Sequence, residues 1–301
     1  MKVLVTGTSG QLGFDVMEEL AGRGYEGIGA DRAETDAEFE HVTLDITDKE
    51  RVMKTVEEIK PDVIVHCAAW TNVDGAEDPA NLKVVRAVNV DGTRNLAEAA
   101  KEVDAKFVYI STDYVFNGEG ERPWEPDDKN YAPINVYGQS KLDGELEVSR
   151  NLDKYFIVRI AWVFGRNGKN FIKTMIEVGK KHDVVKVVND QIGTPTYTVD
   201  LARLLVDMIE TDKYGYYHAT NEGGYISWAD FAEEIYKDAG MDTMVERVST
   251  AEYEEMVGKT VAKRPFNSRL DKSKLVENGF EPLPTWQDAT KRFIKEEEEK
   301  R

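Results

Sequence analysis

The chain of 301 residues is 41% hydrophobic and 32% charged, the balance of a globular protein with room for one large α/β domain or two lobes around a cleft. Its net charge of −18 argues against a nucleic-acid partner, and no apolar run approaches the roughly 18–20 residues of a membrane span. The single cysteine, Cys67, rules out an internal disulfide, and Met1 and Lys2 run straight into an apolar strand pattern rather than a signal peptide, so a cytoplasmic protein is expected.

The first strand, near residues 2–6, leads into Gly7-Thr8-Ser9-Gly10-Gln11-Leu12-Gly13, and a helical pattern follows over 11–23 with Leu12, Val16, Met17 and Leu20 at helical spacing. A dinucleotide pyrophosphate requires that order of strand, glycine loop and helix. Gly7 allows the tight turn, Gly10 the approach of the backbone to phosphate, and Gly13 the close packing of helix on strand. The helix N-terminus, opened by Gln11 and Leu12, offers free N–H groups to the anion. A second strand, 26–30, ends at Asp31, 18 residues beyond Gly13. A carboxylate there accepts hydrogen bonds from the adenosine ribose and repels a 2′-phosphate, whereas the adjacent Arg32 can clamp one. The pair leaves NADH and NADPH both open, with a slight lean to NADH.

After the third strand, 41–44, Asp45 and Ile46 can either hold the adenine or form the turn that caps a helix over 48–60. The fourth strand, 62–67, carries Cys67 as a small buried hydrophobe and ends in Ala68 and Ala69, small enough to let a cofactor cross the strand tips. A helical pattern at 80–103, a strand at 106–111, a helix at 136–152 and a strand at 155–160 complete the first half. This alternation predicts a Rossmann-type α/β fold, a doubly wound parallel sheet with ligand outside the carboxyl ends of its strands. Residues 1–160 are the expected dinucleotide-binding domain. From 161 to 301 the pattern loosens into loops near 165–168 and 191–196 and helices near 198–211, 227–239 and 285–298. A smaller, interleaved α/β substrate lobe is expected there, with a segment near 190–215 returning to the first domain. The histidines at 41, 66, 182 and 218 show no ligand spacing, so no metal site is expected.

Chemistry concentrates at Tyr137 and Lys141, the chain's one Y-x-x-x-K pair. Residues four apart share a helix face, so the ammonium can sit near the phenol, lower its pKa and make it a better general acid. Just upstream, Ser111-Thr112-Asp113-Tyr114-Val115-Phe116 ends a strand, where a hydroxyl can bond a substrate carbonyl. Taken alone, a strand-end hydroxyl is more often a turn former. Glycine loop, strand-end hydroxyl and Tyr/Lys helix reinforce one another in this order.

Those segments resemble the extended branch of the short-chain dehydrogenase/reductase family. Thr71-Asn72-Val73-Asp74, Ser111 to Phe116, Asn189-Asp190-Gln191 and Arg264-Pro265-Phe266-Asn267-Ser268-Arg269 are similar to a nucleotide-sugar reductase group within it. The resemblance implies Tyr137 as proton donor, Lys141 on the nicotinamide ribose, Thr112 orienting the substrate carbonyl and Asn89 supporting the network. It implies contacts of Asp113 and Trp162 with the sugar, and of Thr71, Val73, Asn170 and Phe171 with the nucleotide part of the substrate. On residues alone, Trp162 can equally be a core aromatic. Lys169, Lys173, Arg264 and Arg269 are cations on the expected substrate side, where an arginine fork suits a diphosphate despite the negative net charge. The implied reaction is reduction by NADH or NADPH of the C4 ketone of a nucleotide-linked 4-dehydro-6-deoxy sugar, by a monomer or homodimer. Nucleotide-sugar epimerases and dehydratases share this apparatus, and a non-catalytic regulatory subunit, like that of methionine adenosyltransferase, is a rival of another class.

Overall fold

In β1 (Lys2–Thr6), Val3 and Val5 bury on one face and Leu4 on the other, the period-two pattern of a strand covered on both sides. The computed structural model describes residues 1–33, 39–258 and 262–299. From β1 the chain runs through α1 (Gln11–Gly22), β2 (Glu26–Asp31), β3 (His41–Thr43), α2 (Lys49–Ile59) and β4 (Val63–His66). Next come α3 (Val73–Ala76), α4 (Leu82–Arg86), α5 (Thr93–Glu102), β5 (Lys106–Thr112), α6 (Val136–Asn151) and β6 (Tyr155–Ile160). It continues through β7 (Val163–Phe164), α7 (Phe171–Gly179), β8 (Val184–Val188), β9 (Ile192–Gly193), β10 (Thr196–Tyr197), α8 (Thr198–Ile209) and β11 (Gly215–His218). The last elements are β12 (Ile226–Ser227), α9 (Trp228–Asp238), β13 (Met244–Val248), α10 (Thr250–Val257), α11 (Ser273–Glu277) and α12 (Trp286–Glu299).

The main sheet has seven strands in the order β11-β6-β5-β4-β1-β2-β3, every neighbouring pair parallel. It is the expected doubly wound sheet, and the order reverses between β1 and β4, the point at which sheets of this kind bind ligands beyond their strand tips. On one face α1 and α8 pack Leu12, Val16, Leu20, Leu201 and Leu205 against Val3, Val65 and Val158. On the other, α2, α5 and α6 contribute Val52, Val56, Leu96 and Val148 against Leu4, Ile64 and Phe107. A separate cluster joins α7, α9 and α12 through Ile172, Phe231, Ile235, Trp286 and Phe293. Among the described residues no helix is long and apolar enough to cross a membrane.

The helix expected over 80–103 is interrupted. Residues Ala87–Gly92 form a π-helical turn between α4 and α5, and Gly92 lets Ile46 lie where a Cβ would come within 2.7 Å of it. Such an insertion rotates the side chains that follow it and recurs at functional sites. Here it turns Asn89 inward, 1% exposed.

His66, at the end of β4, is buried between two threonines. Thr93 Oγ1 donates to the Asn89 carbonyl at 2.8 Å, so it accepts from His66 Nε2 at 3.1 Å, and Thr6 Oγ1 then donates to Nδ1 at 2.8 Å. Burial, followed by the Lys141 charge, pushes the imidazole down to about 3. The folded value lies below the unfolded one, so the unfolded chain takes up this proton first as pH falls. The stability owed to a neutral His66 is therefore whole above about pH 6.5 and is lost on the way down toward about 3, at about 1.4 kcal/mol per pH unit. Urea denaturation of His66→Gln is expected to show a shallower loss of stability than the parent between about pH 6.5 and 4.5. Parallel curves would place the acid sensitivity elsewhere.

Candidate active site

The glycine loop joins β1 to α1 with no space to spare. Gly7 has φ +75°, and a Cβ on it would lie 2.7 Å from the Ala68 nitrogen; a Cβ on Gly13 would lie 2.3 Å from the Gly7 carbonyl oxygen. Gly10 is the N-cap of α1 and brings no capping side chain, which leaves the first N–H groups of the helix to an anion. These features fit a dinucleotide pyrophosphate, because any side chain would fill the cradle it needs. Asp31 turns back on the loop. One oxygen accepts from the Ser9 N–H at 3.1 Å and from the Ser9 hydroxyl, and the other accepts from the Arg32 N–H at 2.7 Å.

Asp45 accepts from Thr47 N–H and hydroxyl at 2.9 and 2.8 Å, while Asp48 caps α2. The turn-forming alternative is thus present at Asp45, and Ile46 is buried, its carbonyl bonded to Asn95 at 3.0 Å. Ala68 and Ala69 are half-buried at the β4 tip, and Ala68 N–H donates to Thr6 Oγ1 at 3.3 Å. Cys67 is half-buried too, its thiol pushed up to about 12 by burial.

Beside this loop, β5 carries Thr112 next to the Tyr137 phenol, and α6 carries Tyr137 and, one turn on, Lys141. Thr112 ends β5, 6% exposed, and its hydroxyl interacts with the Tyr137 phenol as well as with Asp113 Oδ1 at 3.0 Å. Asn135 caps α6 by accepting from Gly138 N–H at 2.7 Å, so the helix starts one residue before Tyr137. Gly138 and Gly144 let the helix seat itself, since Cβ atoms there would fall 2.3 Å from the Tyr114 oxygen and 2.2 Å from the Tyr109 hydroxyl. Asn89, from the π turn, accepts from Trp70 N–H at 2.7 Å and donates to Ser140 Oγ at 2.9 Å, tying the β4 tip to α6. Nothing in the amino-acid pattern signals the close approaches at Gly138 and Gly144 or the role of Ser140, because only the packing partner reveals why a helical glycine or serine is needed.

The electrostatics differ from the sequence expectation. The Tyr137 phenol is pushed up, first by burial and then by the Asp113 carboxylate, with the Thr112 hydrogen bond opposing. Lys141 does not depress it. Burial brings the Lys141 amine itself down to about 7, against the pull of Glu145, and Nζ lies 4.1 Å from the centre of the Tyr109 ring. Tyr137 is therefore a protonated phenol at neutral pH, ready to donate. Asp113 is raised to about 7 by burial, with Ser268 and Thr112 opposing, and its Oδ2 has no hydrogen-bond partner among the described residues.

The segments expected to meet substrate surround this centre. Trp162 follows β6 with φ +52°, a left-handed conformation that costs an aromatic residue about 1–3 kcal/mol. Stacking on Trp228 at 3.8 Å, and against Gly193, holds it there, so it is a packed aromatic that stays half-buried. Asn170 caps α7 and donates to Gly165 O at 2.9 Å and Gln11 Oε1 at 3.3 Å, which places it against the glycine loop. Phe171 packs on Trp228 and Phe231. Thr71 is exposed and Val73 half-buried at the start of α3. Arg264 is latched to Asp74 at 2.9 Å, and Arg269 donates to Asn267 Oδ1 at 3.1 Å without an ion pair among the described residues. Lys169 is exposed, whereas Lys173 bonds the Arg166 carbonyl and pairs with Glu297 at 3.2 Å. Of the four expected cations, Arg269 and Lys169 are thus without an acidic partner among the described residues.

The RmlD substrate binding domain family matches residues 1–299. The chain is 39% identical to dTDP-4-dehydrorhamnose reductase of Aggregatibacter actinomycetemcomitans, over 96% of this chain and 97% of that protein. It also superposes on the crystal structure of dTDP-4-dehydrorhamnose reductase from Bacillus anthracis str. Ames in complex with NADP, with a TM-score of 0.89 and 42% identity, over 98% of this chain and 100% of that one. The orthologue from Clostridium acetobutylicum gives a TM-score of 0.89 at 41% identity, over 99% and 100%.

Proposed function

The chain belongs to the RmlD substrate binding domain family, and from that membership we propose that it reduces the C4 ketone of dTDP-4-dehydro-6-deoxy-L-mannose to dTDP-L-rhamnose at the expense of NADH or NADPH. What supports this is the Thr112–Tyr137 pair, with Lys141 one turn along the same helix, beside the Gly7–Gly13 cradle. We assign residues 1–160, with the return near 190–215, to dinucleotide binding and most of 161–301 to the sugar nucleotide.

In this account Gly7, Gly10, Gln11 and Leu12 face the pyrophosphate, and Ala68 and Ala69 border the nicotinamide half. The nicotinamide, when bound, supplies the hydride that adds to C4. Everything else is the work of this chain. The Thr112 hydroxyl exchanges Asp113 for the ketone oxygen and holds it beside the Tyr137 O–H. As that oxygen becomes an alkoxide, Tyr137 gives up its proton, a positioned transfer of the kind that contributes about 10²–10⁴-fold. Lys141, one turn further along α6, is the group we assign to the nicotinamide ribose. Trp162 walls the sugar on one side, and Arg269 is the cation placed for the diphosphate. Incubation with NADPH carrying deuterium at the transferable position and the keto sugar is expected to place the label on sugar C4. Label retained on the cofactor, with sugar converted, would reject reduction.

For the cofactor, Ser9 engages Asp31 through the loop, and Arg32 stands beside it, so both NADH and NADPH are accommodated, with the carboxylate favouring NADH. Asp31→Ala is expected to raise the ratio of kcat/KM for NADPH over NADH by about tenfold, the equivalent of about 1.4 kcal/mol. An unchanged ratio would remove Asp31 from cofactor selection.

A further inference from the structure

Glu145 lies one helical turn beyond Lys141 on α6, fully buried, and takes no part in the chemistry described above. Its carboxylate accepts three hydrogen bonds. Arg159 Nε donates to Oε1 and Nη2 to Oε2, both at 2.8 Å, and Ser111 Oγ donates to Oε1 at 2.5 Å. Arg159 is itself fully buried on β6, directly across from Ser111, and its remaining donors reach Pro126 O and the Tyr131 hydroxyl at 3.0 Å. Its guanidinium lies 5.0 Å from the Phe116 ring centre and 4.8 Å from that of Tyr216, with His218 Nε2 at 3.4 Å. A buried ion pair is a poor way to gain stability, since apolar residues of similar volume often do as well or better. Its placement points to a different use. Ser111 precedes Thr112 on β5, so one carboxylate grips both the strand end that carries the substrate-orienting hydroxyl and the helix that carries Tyr137 and Lys141.

We propose that Glu145 is a positioning residue for the reduction: its carboxylate anchors the Thr112 end of β5 through Ser111 and sets a fixed negative charge one turn from Lys141. The proposal rests on the reductase reading of the site. The titratable groups facing Lys141 are Tyr109 on β5, His66 and Cys67 at β4, and Glu145 on α6, with Tyr137 one turn back on the same helix. Burial keeps His66, Cys67, Tyr109 and Tyr137 neutral near pH 7. That leaves Glu145 as the anion that opposes the desolvation of the Lys141 ammonium.

The test is the pH dependence of kcat for Glu145→Gln beside the parent, with folding checked by circular dichroism. The double variant Glu145→Gln/Arg159→Met, which removes both buried charges, is read in the same way should the single variant not fold. The expected result is a kcat at pH 8 lower by about tenfold, KM within about twofold, and an alkaline limb displaced downward by about one pH unit. In a Lys141→Arg background, where the side chain does not titrate, Glu145→Gln is expected to move no limb. A folded variant whose kcat profile superimposes on the parent overturns the proposal, as does an equal displacement in the Lys141→Arg background. Conversion of the sugar with no net oxidation of NADH or NADPH would instead overturn the reductase reading beneath it, so the two failures are distinguishable.

Discussion

Tyr137→Phe is expected to lower kcat by about 10²–10⁴-fold while cofactor affinity stays within about twofold. The substitution removes one oxygen and leaves the rest of the environment in place. The ring keeps its edge-to-face contact with Tyr114 at 5.8 Å, and α6 keeps its Asn135 cap. What disappears is the proton that the Thr112-bound phenol holds at neutral pH because burial and Asp113 push its pKa up. The loss should therefore fall on the chemical step, read by single-turnover oxidation of the reduced cofactor, with an unchanged melting temperature. A variant retaining a tenth or more of the parent kcat would mean that another group delivers the proton, and Asp113, raised to about 7, is the group placed to do so.

The second large effect belongs to Gly13. A Cβ at this position would come within 2.3 Å of the Gly7 carbonyl oxygen, 2.7 Å of its carbon and 3.0 Å of the Thr8 Cα. All three are backbone atoms of the loop that must cradle the pyrophosphate, so no rotamer change relieves the clash. Gly13→Ala is expected to cost about 1–3 kcal/mol of stability, as overpacking does, and to weaken cofactor binding by about tenfold or more. The contrasting variant is Gly22→Ala at the end of the same helix, where a Cβ meets nothing within 4 Å. It should leave cofactor affinity unchanged and stability equal or higher by up to about 1 kcal/mol. Equal effects of the two substitutions on cofactor dissociation would show that the loop geometry does not govern binding.

The features that were legible in the chain are those written in adjacent residues. Strand, glycine loop and helix at Lys2 to Gly22 are one continuous pattern, and Tyr137 and Lys141 declare their shared helix face by spacing alone. What escaped depends on partners far away in sequence. β11 is a four-residue strand, recognisable only once it pairs with β6, and β8 and β13 define each other across the lobe. The π turn at Ala87–Gly92 keeps the amino-acid pattern of an ordinary helix and differs only in hydrogen bonding. Spacing placed Lys141 near Tyr137 but could not weigh desolvation against attraction, and desolvation wins for both groups. Arg264 looked like a free cation until the fold brought Asp74 to it from 190 residues away. The Glu145–Arg159 pair forms no motif, because it joins a helix to a strand through the core.

The most direct measurement is the stoichiometry of NADH and NADPH oxidation with dTDP-4-dehydro-6-deoxy-L-mannose, alongside Tyr137→Phe. One cofactor oxidised per sugar reduced, collapsing by orders of magnitude in the variant, is the predicted result. Conversion of the sugar without net oxidation of either cofactor, or tight cofactor binding with no turnover at all, would contradict it.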